Sequence, residues 1–490
     1  MHICIVGTGT SGWLVANQLK ELDVVTKVTI IGSPRIPHIG VGESTTLSFT
    51  RTHNRFDLDT AKFVKESAAA VKYGVYYEGW SPHNFIHYFK SDKPFRSKKE
   101  QKQYITNLSN KDSHTHIHDL MGTYLWEDIR RNLVYYSEED QHHYPRTWHF
   151  DAALYIQYLE GICTKSSKVE YIKDTVTVVE FYDTDNQYIK QLRTEDGRKI
   201  QADYYINTSG QRNGENVFRE QYDSLSDILL TNKAVVYPLP FTNKREEFHP
   251  YTKARAMKHG WRWITPTYER IGTGYVFSDN HISVDEAVQE LKDDIGDQSI
   301  EPNVVDFTPK ISKQTFKLNH CSIGMANGFL EPLDAPGLSV TSASINILQK
   351  LINKNKKLLT SNSYENLTSN VKYKTNTKKA NENVKHEYDW WTIFILNQYK
   401  TSHREDTSFW SDQKNVKFQQ WDSVFNNLES YYTDNFHMAF PMMLAQTTAA
   451  KGWKWNTSST EKPKILKEKK VTKVQHHLDY IEKFHKLNYK

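Results

Sequence analysis

The 490-residue sequence has few cysteines and no long hydrophobic run. Its 3 cysteines, Cys4, Cys163 and Cys321, are too few and too scattered for a disulfide framework, which suits a reducing compartment. No run of about 18 apolar residues occurs, and no basic segment precedes the short apolar stretch at the N-terminus. We therefore expect a cytoplasmic protein with neither a signal peptide nor a membrane span.

The sequence also lacks a strong charge of one sign. The formal net charge is +5, and the lysines form no recognisable nucleic-acid motif. Aromatic residues are abundant at 13% of the chain, so many rings must line a core or a pocket. We expect no nucleic-acid partner, and the sequence leaves the oligomeric state open.

The N-terminus has the pattern of a strand, a glycine turn and a helix. The apolar run HICIVG leads into Gly7, Gly9 and Gly12, and WLVANQLKEL then has helical apolar spacing. The first glycine permits a tight turn, the second lets backbone approach a pyrophosphate, and the third allows close helix packing. The motif predicts a dinucleotide site, with a plain turn as the alternative. The next strand ends at Gly32 and Ser33 instead of an acidic residue, so the adenosine end must be held differently.

The remaining patterns predict an insertion and a helical end. Residues 169–210 alternate between apolar and polar residues, which predicts an antiparallel meander. Residues 353–387 are predicted to form a linker or a solvated helix. The apolar spacing from Val471 predicts an amphipathic helix. Lysines between 462 and 473 read as a solvated basic face, with a partner site as the alternative. The expected fold is α/β: a discontinuous Rossmann-like dinucleotide-binding module over 1–350 with an antiparallel insert near 165–320, and a mostly helical region over 351–490.

Several ordered segments over roughly residues 1–410 resemble the flavin-dependent halogenases of the tryptophan-halogenase family. They are IPHIGVGEST, TWHFDAALYIQYL, GWRWITP, GTGYVFS, NHCSIGMANGFLEPLDAPGLSV and NQYKTSHREDTSFW. GWRWITP is similar to the family's W-x-W-x-I-P segment, with Trp261, Trp263 and Pro266 matching and Thr265 replacing the isoleucine. In the family this segment lies near the flavin and disfavours ordinary monooxygenase chemistry. Core packing is the alternative for the two tryptophans.

The resemblance implies a two-component enzyme in which the module over 1–350 binds FAD and the helical region over 351–490 lies on the substrate side. It would take FAD as FADH2 from a separate flavin reductase, because the chain has only one dinucleotide fingerprint, and it would also use O2 and a halide ion. Hypohalous acid formed at the flavin would pass through a tunnel to a lysine and halogenate an electron-rich aromatic carbon. The residues assigned to flavin binding are Gly7, Gly9, Thr10, Gly12, Gly40, Gly42, Glu43, Ser44, Thr45, Gly337 and Leu338.

The segment AAAVKYGVYYEGW is similar to the family's strand with its essential lysine. Alternation places Lys72 on the face opposite the valines, with Gly74 on the same face leaving space beside the ammonium. The resemblance implies that Lys72 is catalytic, and a solvated edge charge is the alternative. A neutral amine would form a haloamine, whereas an ammonium would hydrogen-bond the hypohalous acid, and the sequence leaves both routes open.

In FLEPLDAPG, Asp334 and not Glu331 looks like the carboxylate partner of that lysine, judged by its distance from Gly337. A turn or a helix N-cap is the alternative for Asp334.

The family commonly has Ser-Thr before Gly337, and backbone N–H groups of the threonine and the glycine hold the halide. Here Ala335 and Pro336 stand in that place, and proline has no N–H. A halide site at Pro336 and Gly337 should therefore favour bromide and iodide over chloride.

After the lysine strand, HNFIHYF resembles a segment in which a histidine and a phenylalanine sandwich the substrate ring. His87 and Phe89 take those places, with Tyr88 where proline is usual, and core packing is the alternative. The substrate would be a small aromatic molecule, whose identity and site of reaction the sequence does not specify.

One motif, HTHIH, falls outside the resemblance. His114, His116 and His118 would share a face on a strand and could bind a metal, but no fitting carboxylate or thiolate is obvious, so no metal site is expected.

Two alternative functions also stay open. One is an aromatic monooxygenase, and the other is a degenerate flavin-binding homologue, which Gly32 and the DAPG sequence suggest.

Overall fold

The structure is a computed structural model, and it describes residues 1–36, 43–54, 60–89, 129–136, 146–361, 363–426, 447–448 and 473–486. In these residues the strands are β1 (His2–Val6), β2 (Lys27–Gly32), β3 (Glu43–Ser44), β4 (Ala70–Lys72), β5 (Gly74–Glu78), β6 (Phe85–Tyr88), β7 (Leu133–Tyr136), β8 (Thr147–Phe150), β9 (Val169–Lys173), β10 (Val176–Phe181), β11 (Ile189–Thr194), β12 (Lys199–Ile200), β13 (Tyr204–Asn207), β14 (Tyr222–Ser224), β15 (Lys233–Leu239), β16 (Thr252–Met257), β17 (Gly260–Pro266), β18 (Ile271–Phe277), β19 (Asn303–Asp306), β20 (Lys310–Ser312), β21 (His320–Ser322), β22 (Gly328–Phe329) and β23 (Lys473–His476).

The α-helices of the same residues are α1 (Thr10–Leu19), α2 (Leu47–Asn54), α3 (Thr60–Glu66), α4 (Ala152–Cys163), α5 (Gln211–Asn216), α6 (Lys244–Glu247), α7 (Val284–Ile295), α8 (Pro336–Ser361), α9 (Tyr364–Ser369), α10 (Val371–Lys400), α11 (Ser408–Asn415), α12 (Gln419–Asn426) and α13 (His477–Lys486). A short 3-10 helix covers Gly324–Ala326. None of these described helices combines the length and the apolar composition that crossing a membrane requires.

A five-stranded parallel sheet contains the N-terminal motif. Its strand order is β21-β13-β1-β2-β9, so the first strand lies at its centre. Ile5 of β1 lies opposite Ile30 on one side and Ile206 on the other. The central strand is apolar nearly throughout because helices cover a parallel sheet on its faces. Helix α1 follows the glycine turn and packs against α4. The predicted Rossmann-like module is confirmed.

The predicted meander over 169–210 is only partly right. Strands β10, β11 and β12 form an antiparallel sheet, and Gly197 has the positive φ of 81° that its turn requires. The first and last predicted strands instead join the parallel sheet, β9 beside β2 and β13 beside β1. Local alternation cannot reveal this difference, because a parallel partner is supplied by a distant part of the chain.

A seven-stranded sheet carries the tryptophan motif. Its order is β19-β15-β18-β17-β16-β5-β6, and all neighbours are antiparallel except the pair β16 and β5. GWRWITP forms β17, paired with GTGYVF in β18. Residues of the parallel sheet, the seven-stranded sheet and the C-terminal helices share one hydrophobic core.

The C-terminal part is mostly helical, as expected. Residues 353–387, predicted as a linker or a solvated helix, lie largely in α8, α9 and α10, and α8 also spans the proposed division at residue 350. The tail prediction needs correction at its start, because residues 473–476 form a strand beside β7. The amphipathic helix begins at His477, and Leu478 and Ile481 are buried. Lysines 462–470 lie outside the described residues.

Candidate active site

A cavity of about 460 Å³ is lined by three parts of the fold that the sequence associates with a cofactor. They are the glycine turn after β1, the tryptophans of β17, and the 334–338 segment at the start of α8. Ser44 and Thr252 line it as well. Many of the predicted flavin-side residues therefore line one space, although they are far apart in the chain.

The glycine turn has the geometry that a bound dinucleotide requires. Gly7 has a φ of 114°, and a Cβ there would lie 2.5 Å from the carbonyl oxygen of Thr208. A Cβ on Gly12 would lie 2.0 Å from the carbonyl oxygen of Gly7, so this glycine allows the helix to pack closely. At Gly9 the Cβ direction is open, and helix α1 begins at the next residue, Thr10. Gly9 and Thr10 line the cavity, so a phosphate can approach the helix N-terminus there.

The adenosine end of the cavity differs from the usual pattern. A Cβ on Gly32 would lie 2.1 Å from the Thr8 hydroxyl, so this position has no room for the missing acidic side chain. Three other polar residues line the cavity nearby: Ser33, Asp174 and Thr175. The Thr175 hydroxyl donates to Ser33 Oγ at 2.8 Å, and Asp174 Oδ1 accepts the backbone N–H of Thr175 at 2.7 Å. Sequence reasoning missed Asp174, because it follows β9 and not β2.

The tryptophan motif forms a wall of the cavity. Trp261 is 2% exposed, Trp263 is 8% exposed, and both line the cavity. Trp263 lies opposite Gly274 in the strand ladder, and a Cβ on Gly274 would lie 2.2 Å from the Trp263 ring. The second glycine of GTGYVFS thus makes room for the second tryptophan. Pro266 ends β17, and its carbonyl oxygen lies 3.0 Å from Nδ1 of His149.

Lys72 is fully buried at the end of β4. Its Nζ donates to Ser44 Oγ at 2.6 Å and to the carbonyl oxygen of Thr45 at 2.8 Å, and it lies 4.7 Å from the centre of the Phe89 ring. Burial lowers the pKa of the ammonium to about 7, against a smaller opposing effect of Asp334. An amine with this pKa is present in both protonation states near neutral pH, unlike a solvated edge lysine.

The predicted single lysine strand is two strands that belong to different sheets. Lys72 ends β4, which pairs with β8, and Gly74 begins β5 of the seven-stranded sheet. Gly74 does not leave space beside the ammonium, because a Cβ there would lie 2.2 Å from the carbonyl oxygen of His87. This glycine instead permits close approach of β6.

Asp334 is buried and lines the cavity, but its direct partners are not Lys72. Its Oδ1 lies 2.8 Å from Nδ1 of His87, and its Oδ2 accepts a hydrogen bond from the Tyr77 hydroxyl. Burial raises the pKa of the carboxyl, but His87, Lys72 and Tyr77 together outweigh burial and hold the pKa below its ordinary value. Asp334 and Ala335 have φ values of 62° and 61°, and such backbone strain is common at functional sites.

Phe89 lies beside the lysine, and His87 lies beside Phe89. His87 is 1% exposed, its Nδ1 faces Asp334, and its Nε2 is buried without a hydrogen-bond partner. The rings of His87 and Phe89 are nearly perpendicular, with centroids 5.5 Å apart. The sandwich of a substrate ring between them stays a prediction.

The predicted halide segment lies where α8 begins. Pro336 is the first residue of this 26-residue helix, and Pro336, Gly337 and Leu338 line the cavity. The N–H of Ala335 already donates to the carbonyl oxygen of Pro332 at 2.9 Å. The donors left for an anion are therefore those of Gly337 and Leu338, at the positive end of the helix dipole.

Two buried residues near the site, His149 and Thr252, were not singled out from the sequence, and a third, Glu331, was set aside in favour of Asp334. His149 and Thr252 are linked by a 2.8 Å hydrogen bond close to Lys72, and Glu331 accepts bonds from Thr231 and Tyr399. Burial raises the pKa of Glu331 to about 7. His149 stands in the segment TWHFDAALYIQYL, which carried the family resemblance and was the available signal.

The C-terminal helix reaches the lysine strand. Nε2 of His477 accepts the backbone N–H of Val71 at 2.9 Å, and its Nδ1 lies 3.0 Å from the carbonyl oxygen of Phe248. Burial lowers the pKa of His477 to about 3, so this imidazole is neutral. The strand that ends at Lys72 is thus held by a residue near the other end of the described chain.

Some predicted residues lie outside the described part of the chain. They are Gly40, Gly42, the side chain of Glu43, and the histidines His114, His116 and His118. The other assigned residues are described: Thr45 is buried, and its hydroxyl donates to the carbonyl oxygen of Trp148 at 2.6 Å. Within the described ranges, no group of histidine, cysteine and acidic side chains is arranged to hold a metal ion.

Known proteins are similar to this chain over most of its length. The family model described as tryptophan halogenase matches residues 2–459. Tryptophan 6-halogenase ThaL from Streptomyces albogriseolus is 27% identical in an alignment of 461 positions, and the match covers 88% of this chain and 81% of ThaL. The crystal structure of a tryptophan halogenase from Shewanella frigidimarina has a TM-score of 0.80 at 20% identity, covering 99% of this chain and 92% of that one. BrvH, a flavin-dependent halogenase from Brevundimonas sp. BAL3, has a TM-score of 0.76 at 22% identity, covering 93% and 91%.

Proposed function

Because the chain belongs to the tryptophan halogenase family, a family of flavin-dependent enzymes, we propose that it is a two-component halogenase of small electron-rich aromatic molecules. The observation that carries the proposal is the fully buried Lys72, whose ammonium contacts Ser44 at the wall of the cavity. A separate flavin reductase would supply the reduced cofactor, and the enzyme would work in the cytoplasm.

The cavity residues fit FAD. Gly9 and the N-terminus of α1 would hold the pyrophosphate, and Asp174 would take over the ribose contact that Gly32 has no room to provide. Trp261 and Trp263 would face the flavin end. When bound, reduced FAD together with O2 and halide supplies hypohalous acid.

Lys72 would receive the hypohalous acid and direct its halogen to the aromatic carbon. Its ammonium is held by Ser44 Oγ, by the carbonyl oxygen of Thr45 and over the Phe89 ring, so its position is fixed. Asp334 would act electrostatically, stabilising positive charge that develops on the substrate ring, while it also orients His87. Phe89 and His87 would position the substrate ring, because Phe89 lies next to the ammonium and His87 lies next to Phe89.

The halide site would lie at Pro336 and Gly337. Because Pro336 lacks an N–H and the N–H of Ala335 is already used, the site offers fewer donors than a Ser-Thr sequence would. Chloride is the smallest and most strongly hydrated of the three halides, so it loses most from the missing donor. We therefore propose that bromide and iodide are preferred over chloride.

The test is a product assay with photoreduced FAD, oxygen and a panel of indoles, phenols and pyrroles, each with chloride, bromide or iodide. Mass spectrometry should show a halogen in place of one ring hydrogen, and only when halide is added. Incorporation of oxygen without halide would instead identify an aromatic monooxygenase. FAD binding without any turnover would identify a degenerate flavin-binding protein.

A further inference from the structure

A continuous chain of hydrogen bonds leads from Lys72 to a buried histidine. Lys72 Nζ donates to Ser44 Oγ at 2.6 Å, Ser44 Oγ lies 2.7 Å from Thr252 Oγ1, and Thr252 Oγ1 lies 2.8 Å from Nε2 of His149. The far nitrogen of the imidazole, Nδ1, lies 3.0 Å from the carbonyl oxygen of Pro266. These side chains come from β4, β3, β16 and β8, and Lys72, Thr252 and His149 are buried.

The last carbonyl group fixes the direction of every bond in the chain. A carbonyl oxygen only accepts, so Nδ1 of His149 must carry a proton and donate it to Pro266. Burial, followed by the charge of Lys72 and the nearby His477 and His249, holds the pKa of His149 well below its ordinary value, so the ring is neutral and Nε2 is an acceptor. Thr252 must then donate to His149, Ser44 must donate to Thr252, and Lys72 must donate to Ser44.

We propose that Ser44, Thr252 and His149 are positioning residues that form a proton relay for Lys72. The relay rests on the proposed halogenase function. Each donor in the chain points away from the lysine, so one proton can move along every bond in turn. Lys72 then becomes a neutral amine, both hydroxyl groups reverse direction, and His149 holds a proton on each nitrogen. This transfer also removes the charge of Lys72, which is one of the effects that lower the pKa of His149.

The relay favours the haloamine route that the sequence left open. The neutral amine attacks the halogen of HOX, an N–X bond forms, the O–X bond breaks, and hydroxide combines with one amine proton as water. The proton on His149 returns along the chain to the haloamine nitrogen, which makes this nitrogen a better leaving group. The ring takes X⁺, and the ring proton lost afterwards restores the ammonium. The sum is HOX + ArH giving ArX + H2O.

The surroundings of Lys72 show which path its proton can take. The charge of Asp334 raises the pKa of Lys72, but the oxygens of Asp334 are hydrogen-bonded to His87 and Tyr77. Within the described ranges, Lys72 itself forms no ion pair. Of the two hydrogen-bond partners of the amine, only Ser44 can pass a proton on, because Thr45 offers a carbonyl oxygen. The relay also gives the segment GWRWITP a second role, since the carbonyl of its closing residue sets the tautomer of His149.

A matched pair of variants tests the relay. Thr252→Val keeps the shape of the side chain but removes the hydroxyl, and Thr252→Ser keeps the hydroxyl. Thr267→Val is the control for losing a buried hydroxyl, because Thr267 donates to the carbonyl oxygen of Arg270 instead. We expect Thr252→Val to lower the rate of product formation at least about a hundredfold while flavin oxidation continues, and Thr252→Ser to restore it. Thr267→Val should resemble the unchanged protein.

A second measurement needs neither flavin nor turnover. Nitrogen-15 NMR of the histidine-labelled protein, with the His149 signals assigned by their loss in His149→Gln, should show a proton on Nδ1 and none on Nε2 between pH 7 and pH 8. A proton on Nε2 would overturn the relay even if Thr252→Val failed to fold. Equal product formation by the valine and serine variants would overturn the relay alone. If the unchanged protein made no halogenated product with any halide, the proposed function would be wrong, and the relay would fall with it.

Discussion

Replacing Lys72 by methionine should remove a buried charge that the fold carries at a cost. The ordinary pKa of 10.5 falls to about 7 in the folded protein. Between these two values the unfolded chain binds a proton that the native protein does not, so stability rises with pH across that range. At pH 7 and below, the native protein bears the full cost of the buried charge. The free energy of unfolding is then about 5 kcal/mol lower than at pH 10.5.

Methionine has a similar length and no charge, so the variant should lack this pH dependence. It also loses the hydrogen bonds to Ser44 and Thr45, but that loss does not vary with pH and cancels when two pH values are compared. Between pH 7 and pH 9.5, the free energy of unfolding of the unchanged protein should therefore rise by about 3 kcal/mol more than that of Lys72→Met. The other ionisable groups facing the amine, Asp334 and His149, are present in both proteins.

The assay is urea denaturation followed by tryptophan fluorescence at several pH values from 6.5 to 9.5. Lys190→Met, on an exposed face of β11, is the control and should follow the unchanged protein at every pH. A constant difference between Lys72→Met and the unchanged protein over this range would refute the reasoning. In the product assay, Lys72→Met should oxidise reduced FAD but release no halogenated aromatic, whereas loss of flavin oxidation with flavin still bound would contradict the assigned role.

Three further predictions concern the cavity. Asp334→Asn should lower the rate of halogenation by roughly ten to a thousandfold, the range for one lost electrostatic stabiliser, and an unchanged rate would leave Asp334 a turn residue. Pro336→Thr should raise kcat/KM for chloride selectively, because it supplies an N–H worth about 1.5 to 3 kcal/mol to an anion; equal use of chloride and bromide by the unchanged protein would contradict the halide assignment. Asp174→Ala should weaken FAD binding at least about tenfold in a fluorescence titration if the carboxylate holds the ribose, and an unaltered Kd would show that it does not.

Local motifs made part of this site predictable from the sequence. The turn at Gly7, Gly9 and Gly12 depends on residues that are close in the chain, so strand, turn and helix follow from spacing alone. The resemblance indicated the importance of Lys72, but not that it ends one strand and that Gly74 begins another. A break of this kind depends on which distant strands pair with each half.

The relay lay beyond sequence reasoning for the same reason. Ser44, Thr252 and His149 belong to three separate segments. The sequence assigned Ser44 to flavin binding, but it carries no sign that this serine lies beside Thr252 and His149. Spacing from Gly337 singled out Asp334, and the structure shows Glu331 buried in a different network with Tyr399. Likewise, the lack of space at Gly32 arises from Thr8, which lies across the glycine turn and leaves no signal in the second strand itself.

The hydrogen bond from Val71 to His477 has a consequence for how the protein is made. The two residues are 406 positions apart, so a ribosome has synthesised the lysine strand long before its acceptor exists. Until residue 477 emerges, the Val71 N–H must stay hydrated or find another acceptor, because an unpaired buried N–H costs about 1 to 3 kcal/mol. A nascent chain should therefore fold its glycine turn early and gain a secured lysine strand only near the end of translation. A chain cut before residue 477 should bind the dinucleotide yet hold its lysine poorly.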